Sequence, residues 1–402
     1  MFRNSGLWIN KLDSYPLTKK GFQVFSYATF TIFLAVIIGF ALLNPLWAYY
    51  APYLKHLDLL PSISAPVDGM YYLENAKLGY RWDTATPLSL LFHPLLSVLL
   101  GLLPTWLPTN VWFWLISLLL GTASLVLIYQ LTLVLTDTPQ LSVKLLPLCL
   151  IAPGGLILAT GNAEIPCLSF TLVLLLSILR WQRLWLTICS AVLAILTKPN
   201  ALYMIPVLLI YFIWGANTQS SRIKLHALTG ILGIAGAWLL WMLLVDWHTG
   251  IFGTYWNVRM NFNPGVAGTF PGFFDRLVRS FLYDGDFRDQ IRYSVAIVVP
   301  IVSLVIFGFI PLADEQHRYA LAAGVFAMMF VALIQGNPNK IIVYSTTLPG
   351  HFSAHLLAIV SIASKATFKS NFTRGVVALT YTTYCVGMLL VFIFGTPLRW
   401  YH

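Results

Sequence analysis

"TPLSLLFHPLLSVLLGLLPTWL", residues 86–107, decides how the chain is threaded. It is apolar and has the length of a membrane span, which needs about 20 residues. His93, Pro94 and Pro104 interrupt it, however, and a proline inside a helix removes a hydrogen bond and clashes with the turn before it. The surrounding composition makes the question meaningful. The chain has 402 residues, 58% hydrophobic and only 9% charged, whereas soluble domains are about a quarter charged. It therefore belongs in a bilayer.

Other apolar segments lie near 26–48, 109–136, 145–160, 163–180, 223–247, 293–312, 319–335, 350–364 and 376–395. Residues 184–214 form two shorter runs split by "TKPN", with basic flanks "RWQR" and "SSRIK". Basic flanks prefer the cytoplasmic side, so a hairpin of two short helices is expected there. With Lys19 and Lys20 inside, a full crossing by 86–107 would put every later basic loop outside. If 86–107 only dips into the outer interface, those loops fall inside, with thirteen Lys and Arg against four acids; outside there are eleven against ten. The second threading obeys the positive-inside rule.

The expected fold is thus an all-α polytopic membrane protein, a single transmembrane domain over 1–402. It has about eleven spans, an inside N-terminus, a first outer loop at 49–108 with interfacial helices and a second outer loop at 248–292. The run starting near Ser26 reads as a signal anchor, with no small-residue cleavage site after it. The net charge of +10 follows from loop asymmetry, not from a basic patch, which excludes nucleic acid as a partner. Cys149, Cys167, Cys189 and Cys385 sit in apolar runs and read as small hydrophobes. No internal repeat supports an inverted-repeat transporter.

Most carboxylates fall on the outer side. Asp68 opens the helical pattern "DGMYYLENAKLGY", where Tyr72, Ala76 and Gly79 share one face and Glu74, Lys77 and Arg81 the other. From spacing alone, Asp68 reads as an N-cap as readily as a reactive group. The two helices around "TKPN" are too short to cross, so Lys198 is either a snorkelling lysine or the cationic floor of an outward-open pit. His93 is either a polar outlier at an interface or a site residue. "NPNKIIVYSTTLPGH" at 337–351 offers Lys340, Tyr344 and His351 near the membrane. "DGDFRD" has its glycine at the wrong position for a calcium loop, and no metal-ligand set or cofactor motif is evident.

Together these stretches resemble the GT-C class of integral-membrane glycosyltransferases, within it the group related to the second mannosyltransferase of glycosylphosphatidylinositol assembly. The likeness rests on "VDGMYYLENAKLGY" with Asp68, "LLFHPLL" with His93, "ATGNAEIPCLSF" with Asn162 and Glu164, and "ILTKPNALYMIPVLL" with Lys198 and Asn200, in order across 60–215. Val67 replaces an aromatic before the Asp, Lys198 replaces an Arg, and "NKIIVY" stands where the family often has "PRY". The resemblance implies a GT-C-like helical bundle that moves a mannose-like hexose from a polyprenyl-phosphate donor to a glycan or glycolipid hydroxyl. Transfer would occur on the outer face, with inversion and without a cofactor. Asp68 would be the catalytic base. Lys198 and Lys340 would stabilise the leaving phosphate, with Tyr72, His93, Asn162, Glu164, Asn200 and Tyr344 as further substrate-binding candidates. A lipid or sugar transporter, and a non-catalytic subunit of a glycan-assembly complex, are the competing expectations. Among multi-pass locations, the bacterial plasma membrane is preferred to the endoplasmic reticulum.

The threading has a direct check. Cysteines placed at Lys77, Asn263 and Asn339 in a cysteine-free background should react with an impermeant thiol reagent in intact cells, and those at Gln140, Ser221 and Ser370 should not. Labelling at Gln140 with protection at Asn263 would reverse the assignment.

Overall fold

The computed structural model describes residues 19–50, 68–80, 82, 90–136, 141–152, 155–214, 221–261, 287–310, 312–334 and 347–363, with a few isolated positions beyond. Most of these residues are helical, and none of them is in a strand. The α-helices are α1 (Lys19–Tyr50), α2 (Asp68–Leu78), α3 (Pro94–Gly101), α4 (Thr109–Thr136), α5 (Glu164–Leu176), α6 (Leu184–Thr197), α7 (Met204–Trp214), α8 (Ser221–Thr249), α9 (Thr254–Asn261), α10 (Phe287–Phe309), α11 (Glu315–Ile334) and α12 (Pro349–Ala363).

Among the described residues, four stretches are long and apolar enough to cross a membrane: Lys20–Ile38, Thr109–Thr136, Glu164–Trp181 and Ser221–Thr249. Their outward faces are apolar too. On α8, Leu225, Leu228, Leu232, Leu239, Leu240, Leu243 and Trp247 are exposed, while His226, Ala227, Gly230, Ile234, Trp241 and Val245 are buried. A helix that is apolar all round is one whose surroundings are oil or core. On α1, Val24, Ala28, Thr31, Ile32 and Ala35 share the buried face, and Phe22, Phe25, Phe30 and Phe33 are exposed. Hydroxyls within the helices bond back one turn, as in Thr31 to the Tyr27 carbonyl (2.7 Å), Thr132 to Ile128 (2.7 Å) and Thr197 to Leu193 (2.7 Å). In a medium without water that is how a hydroxyl is satisfied.

Among the described residues of the stretch 86–107, the α-helix is the eight-residue α3, roughly 12 Å long at 1.5 Å per residue. It packs on α2, α4 and α6 and is far too short to cross. The segment near 145–160 departs from the expected α-helical span. It consists of two 3-10 stretches, Val143–Ile151 and Gly155–Ala159. Pro147 lies inside the first and cannot donate to an α-helical ladder. Gly155 closes the break: a Cβ there would meet the Cys149 carbonyl oxygen at 2.5 Å and that of Leu150 at 2.6 Å. The apolar run near 293–312 is the later part of α10, which begins at Phe287. The segments near 319–335 and 350–364 are α11 and α12. The run 376–395 lies outside the described residues.

Residues 184–214 form two helices whose outer flanks meet the same half of α8. At the start of α6, Thr187 bonds His226 (2.8 Å), and in the middle of α7, Leu208 lies against Gly230. The tip between them points the other way, toward the later turns of α8. Around the main core, α4 packs on α5, α5 on α6, and α8 on both α6 and α7; α7 in turn packs on α11. A second buried cluster, comprising Tyr72, Leu90, Leu91, Phe92, Leu96, Leu100, Phe113, Ala163, Trp241, Val245 and Tyr255, joins α2, α3, the first turns of α4, the last turns of α8, and α9.

Close helix approach at α4 depends on Gly121, where an added Cβ would stand 2.8 Å from the Leu158 carbonyl oxygen. Gly121→Ala should cost about 1–3 kcal/mol through overpacking. Gly236→Ala on α8, with nothing within 4 Å, should be neutral or stabilise by up to about 1 kcal/mol. Thermal unfolding of the two variants in detergent compares them directly.

Candidate functional site

Pro199 organises the hairpin tip. The residue before a proline is driven out of the helical region, and Lys198 sits at φ −157, ψ 139, ending α6. Proline also has no N–H. The carbonyl of Ile195, four residues earlier, therefore has no helical donor. Both it and the nearby Thr197 carbonyl accept from side chains of the first loop region. His93 Nδ1 bonds the Ile195 oxygen, and the Tyr72 hydroxyl donates to the Thr197 oxygen at 3.0 Å. A carbonyl only accepts, so Nδ1 of His93 carries the proton. In the neutral ring Nε2 is then the acceptor, and it receives the Tyr255 hydroxyl at 3.1 Å.

His93 owes its position to a second proline. Pro94 is the first residue of α3, where a missing N–H costs nothing, and it holds His93 extended at φ −64, ψ 150. Just before it, the Phe92 carbonyl accepts the Tyr80 hydroxyl at 2.6 Å. Burial pushes the Tyr80 hydroxyl up to about 12. Tyr80 thus stays protonated and keeps donating.

Lys198 is 7% exposed and its ammonium donates to Glu164 Oε1, forming a salt bridge. Glu164 is 1% exposed, in the first turn of α5, where the helix N-terminus favours a negative charge. Its backbone N–H reaches Asn162 Oδ1 at 3.4 Å. Asn200 follows Pro199 in a 3-10 turn, Pro199–Tyr203, that packs on α5. Beside this ion pair, Glu164 Oε2 and Asn200 Nδ2 are buried polar atoms without a hydrogen-bond partner, and Trp241 Nε1 in the adjoining aromatic wall is another.

Aromatic rings wall the cluster. Tyr72 meets Phe92 edge-on at 5.2 Å, His93 lies 6.1 Å from Trp241, and Tyr80 meets Trp241 at 5.3 Å. Trp82 stacks on His248 at 4.2 Å. From Trp241, α8 continues to Thr249, roughly 12 Å further at 1.5 Å per residue.

Of the residues singled out in the sequence, Tyr72, His93, Asn162, Glu164, Lys198 and Asn200 lie in this neighbourhood. Asp68 is the first residue of α2, one turn before Tyr72; its side chain, Lys340 and Tyr344 lie outside the described residues. Glu74 is exposed. His351 lies elsewhere, bonded to Ser303 (3.0 Å) and His355 (3.3 Å) in the main core. The expectation of Lys198 as a phosphate-facing cation meets a fact that spacing does not carry: its charge is met by Glu164.

Sequence reasoning missed Tyr255, Trp241 and Asp246. The Asp246 carboxylate accepts the backbone N–H groups of Gly253 (2.8 Å) and Thr254 (2.9 Å), capping α9 and so fixing Tyr255. "DWHTGIFGTYW" carried the signal, an acid followed by two glycines, Gly250 and Gly253, both with positive φ. No family model matches the chain, and no curated protein matches it.

The ion pair can be weighed by a mutant cycle. Lys198→Met alone leaves a buried carboxylate without its counter-charge and should destabilise by about 3–5 kcal/mol. The double variant Lys198→Met with Glu164→Gln should recover most of that loss. Melting temperatures in one detergent for the wild type, both single variants and the double variant read the coupling.

Proposed function

We propose that the chain is a membrane-embedded glycosyltransferase of the GT-C class, moving a hexose from polyprenyl phosphate to an acceptor hydroxyl at the outer face of a bilayer. One observation supports this most. The stretches around Tyr72, His93, Glu164 and Lys198, which carry the resemblance and are separated by up to 125 residues in one direct hydrogen bond, meet at one hairpin tip near the end of the bundle.

The chemistry is a single displacement. Asp68 takes the proton of the acceptor hydroxyl as its oxygen forms a bond to the anomeric carbon. The bond from that carbon to the phosphate oxygen breaks, its electron pair leaves with the polyprenyl phosphate, and configuration inverts. The protonated Asp68 returns its proton to water. The aromatic wall shields one side of the tip from water, which strengthens electrostatic contacts made there. Because Glu164 meets the charge of Lys198, stabilisation of the departing phosphate falls first to Lys340. Arg259, Arg276, Arg279 and Arg288 of the second outer loop are the other cations available.

The buried Lys198–Glu164 pair is also what a transporter of lipid or sugar would have. The two readings separate on chemistry, since a transporter moves its substrate without breaking the sugar–phosphate bond.

Asp68→Asn should abolish transfer while stability stays within about 1 kcal/mol of wild type, because Asn caps a helix about as well as Asp. The assay is purified protein in nanodiscs with radiolabelled polyprenyl-phosphate mannose and a panel of glycolipid acceptors. Retained turnover in Asp68→Asn would remove the base assignment. Movement of intact donor without any transfer would favour the transporter.

A further inference from the structure

Glu164 and Asn200 stand on either side of one contact. Glu164 gives one carboxylate oxygen to Lys198, and Asn200 is two residues beyond that lysine. The remaining oxygen, Oε2, is an acceptor with no donor, and Asn200 Nδ2 is a donor with no acceptor. Both residues are almost wholly enclosed, at 1% and 3% exposure. Proteins satisfy the great majority of buried polar side-chain atoms, and each exception calls for a reason. Here an unpaired acceptor on α5 and an unpaired donor on the hairpin tip flank the Lys198–Glu164 ion pair, and Trp241 Nε1 in the adjoining cluster is a further unpaired donor.

Ligand chemistry can be read from that pairing. A phosphate offers acceptors alone and would meet the free Glu164 oxygen with like charge, while the nearest cation is neutralised by Glu164. A hydroxyl both donates and accepts. It can give its proton to Glu164 Oε2 and take one from Asn200 Nδ2, or two neighbouring hydroxyls can divide those tasks. The rings of Phe92, Trp241 and Tyr255 in the adjoining cluster supply the apolar surface on which the C–H face of a sugar rests.

We infer that Glu164 Oε2 and Asn200 Nδ2 form a subsite for the hydroxyls of a sugar ring, with Lys198 bonded to the other Glu164 oxygen and so holding the carboxylate in place. In assigning the ring to donor or acceptor, this subsite rests on the glycosyltransferase proposal. Asn200 and Glu164 are specificity residues in this scheme; no bond to the sugar is made or broken by them.

The test is binding by purified protein in nanodiscs of three probes: a short-chain polyprenyl-phosphate mannose, the same polyprenyl phosphate without sugar, and octyl mannoside. Asn200→Ala should weaken a sugar-bearing probe about tenfold, the loss expected when a hydrogen bond is removed, and leave polyprenyl phosphate unchanged. An effect on polyprenyl-phosphate mannose assigns the subsite to the donor; an effect on octyl mannoside alone assigns it to the acceptor. Asn200→Ser, which keeps a shorter donor, guards against misfolding and should fall between Ala and wild type. Equal weakening of all three probes, or of none, overturns the subsite and leaves the glycosyltransferase proposal standing. Failure of the wild type to bind any probe overturns both.

Discussion

A proline placed where oil allows no water creates the debt that the rest of this structure settles. Pro199 supplies no N–H, and the carbonyls at the end of α6 cannot turn to solvent as they would at a water-exposed helix end. An unsatisfied backbone group costs several kcal/mol in hydrocarbon. Tyr72 from α2 and His93 from the start of α3 satisfy the Thr197 and Ile195 oxygens. The interruption of the hairpin thereby becomes the point at which distant stretches are tied together.

The charges obey the same economy. Lys198 is forced out of the helix by the proline after it, and an ammonium in the bundle needs a partner. Glu164 provides one from the first turn of α5, where the helix dipole already favours a carboxylate. A buried pair of this kind contributes little net stability compared with an apolar replacement. Its presence at the tip is therefore not explained by folding energy alone, and the unbonded, buried half of the carboxylate is the part the proposed subsite uses. That physical asymmetry, one carboxylate oxygen bonded and one unbonded, gives the cluster chemical character.

The long spans were legible because they depend only on uninterrupted composition between polar flanks. The expected segments 109–136, 163–180 and 223–247 correspond to Thr109–Thr136, Glu164–Trp181 and Ser221–Thr249. The two short helices of 184–214 were legible from their basic flanks and their length. The 3-10 character of Val143–Ile151 and Gly155–Ala159 was not, because apolar content says nothing of how Pro147 and Gly155 redirect hydrogen bonds. The candidate site was legible as a set of residue types, and its internal wiring was not. Lys198 and Glu164 lie 34 residues apart in sequence, and no local pattern distinguishes a lysine awaiting a phosphate from one already paired. Tyr255 enters through a cap made by Asp246 seven residues before Gly253, a tertiary consequence of how α9 folds back on α8.

Rigidity follows from the wiring. His93 links the hairpin tip to α9 through its two ring nitrogens, while Tyr80 ties α2 to the residue preceding His93. Moving any one of these elements away from the tip would strip a donor from a buried carbonyl, so α2, α3 and the tip shift as one body or not at all. The side chains that satisfy the backbone are neighbours of the ones proposed to meet substrate: Tyr72 one turn from Asp68, His93 beside Trp241, and Thr197 next to Lys198. A bundle whose lipid-facing helices slide freely could not hold these side chains in register. Here the requirement that every carbonyl be paired in oil supplies that register before any ligand arrives.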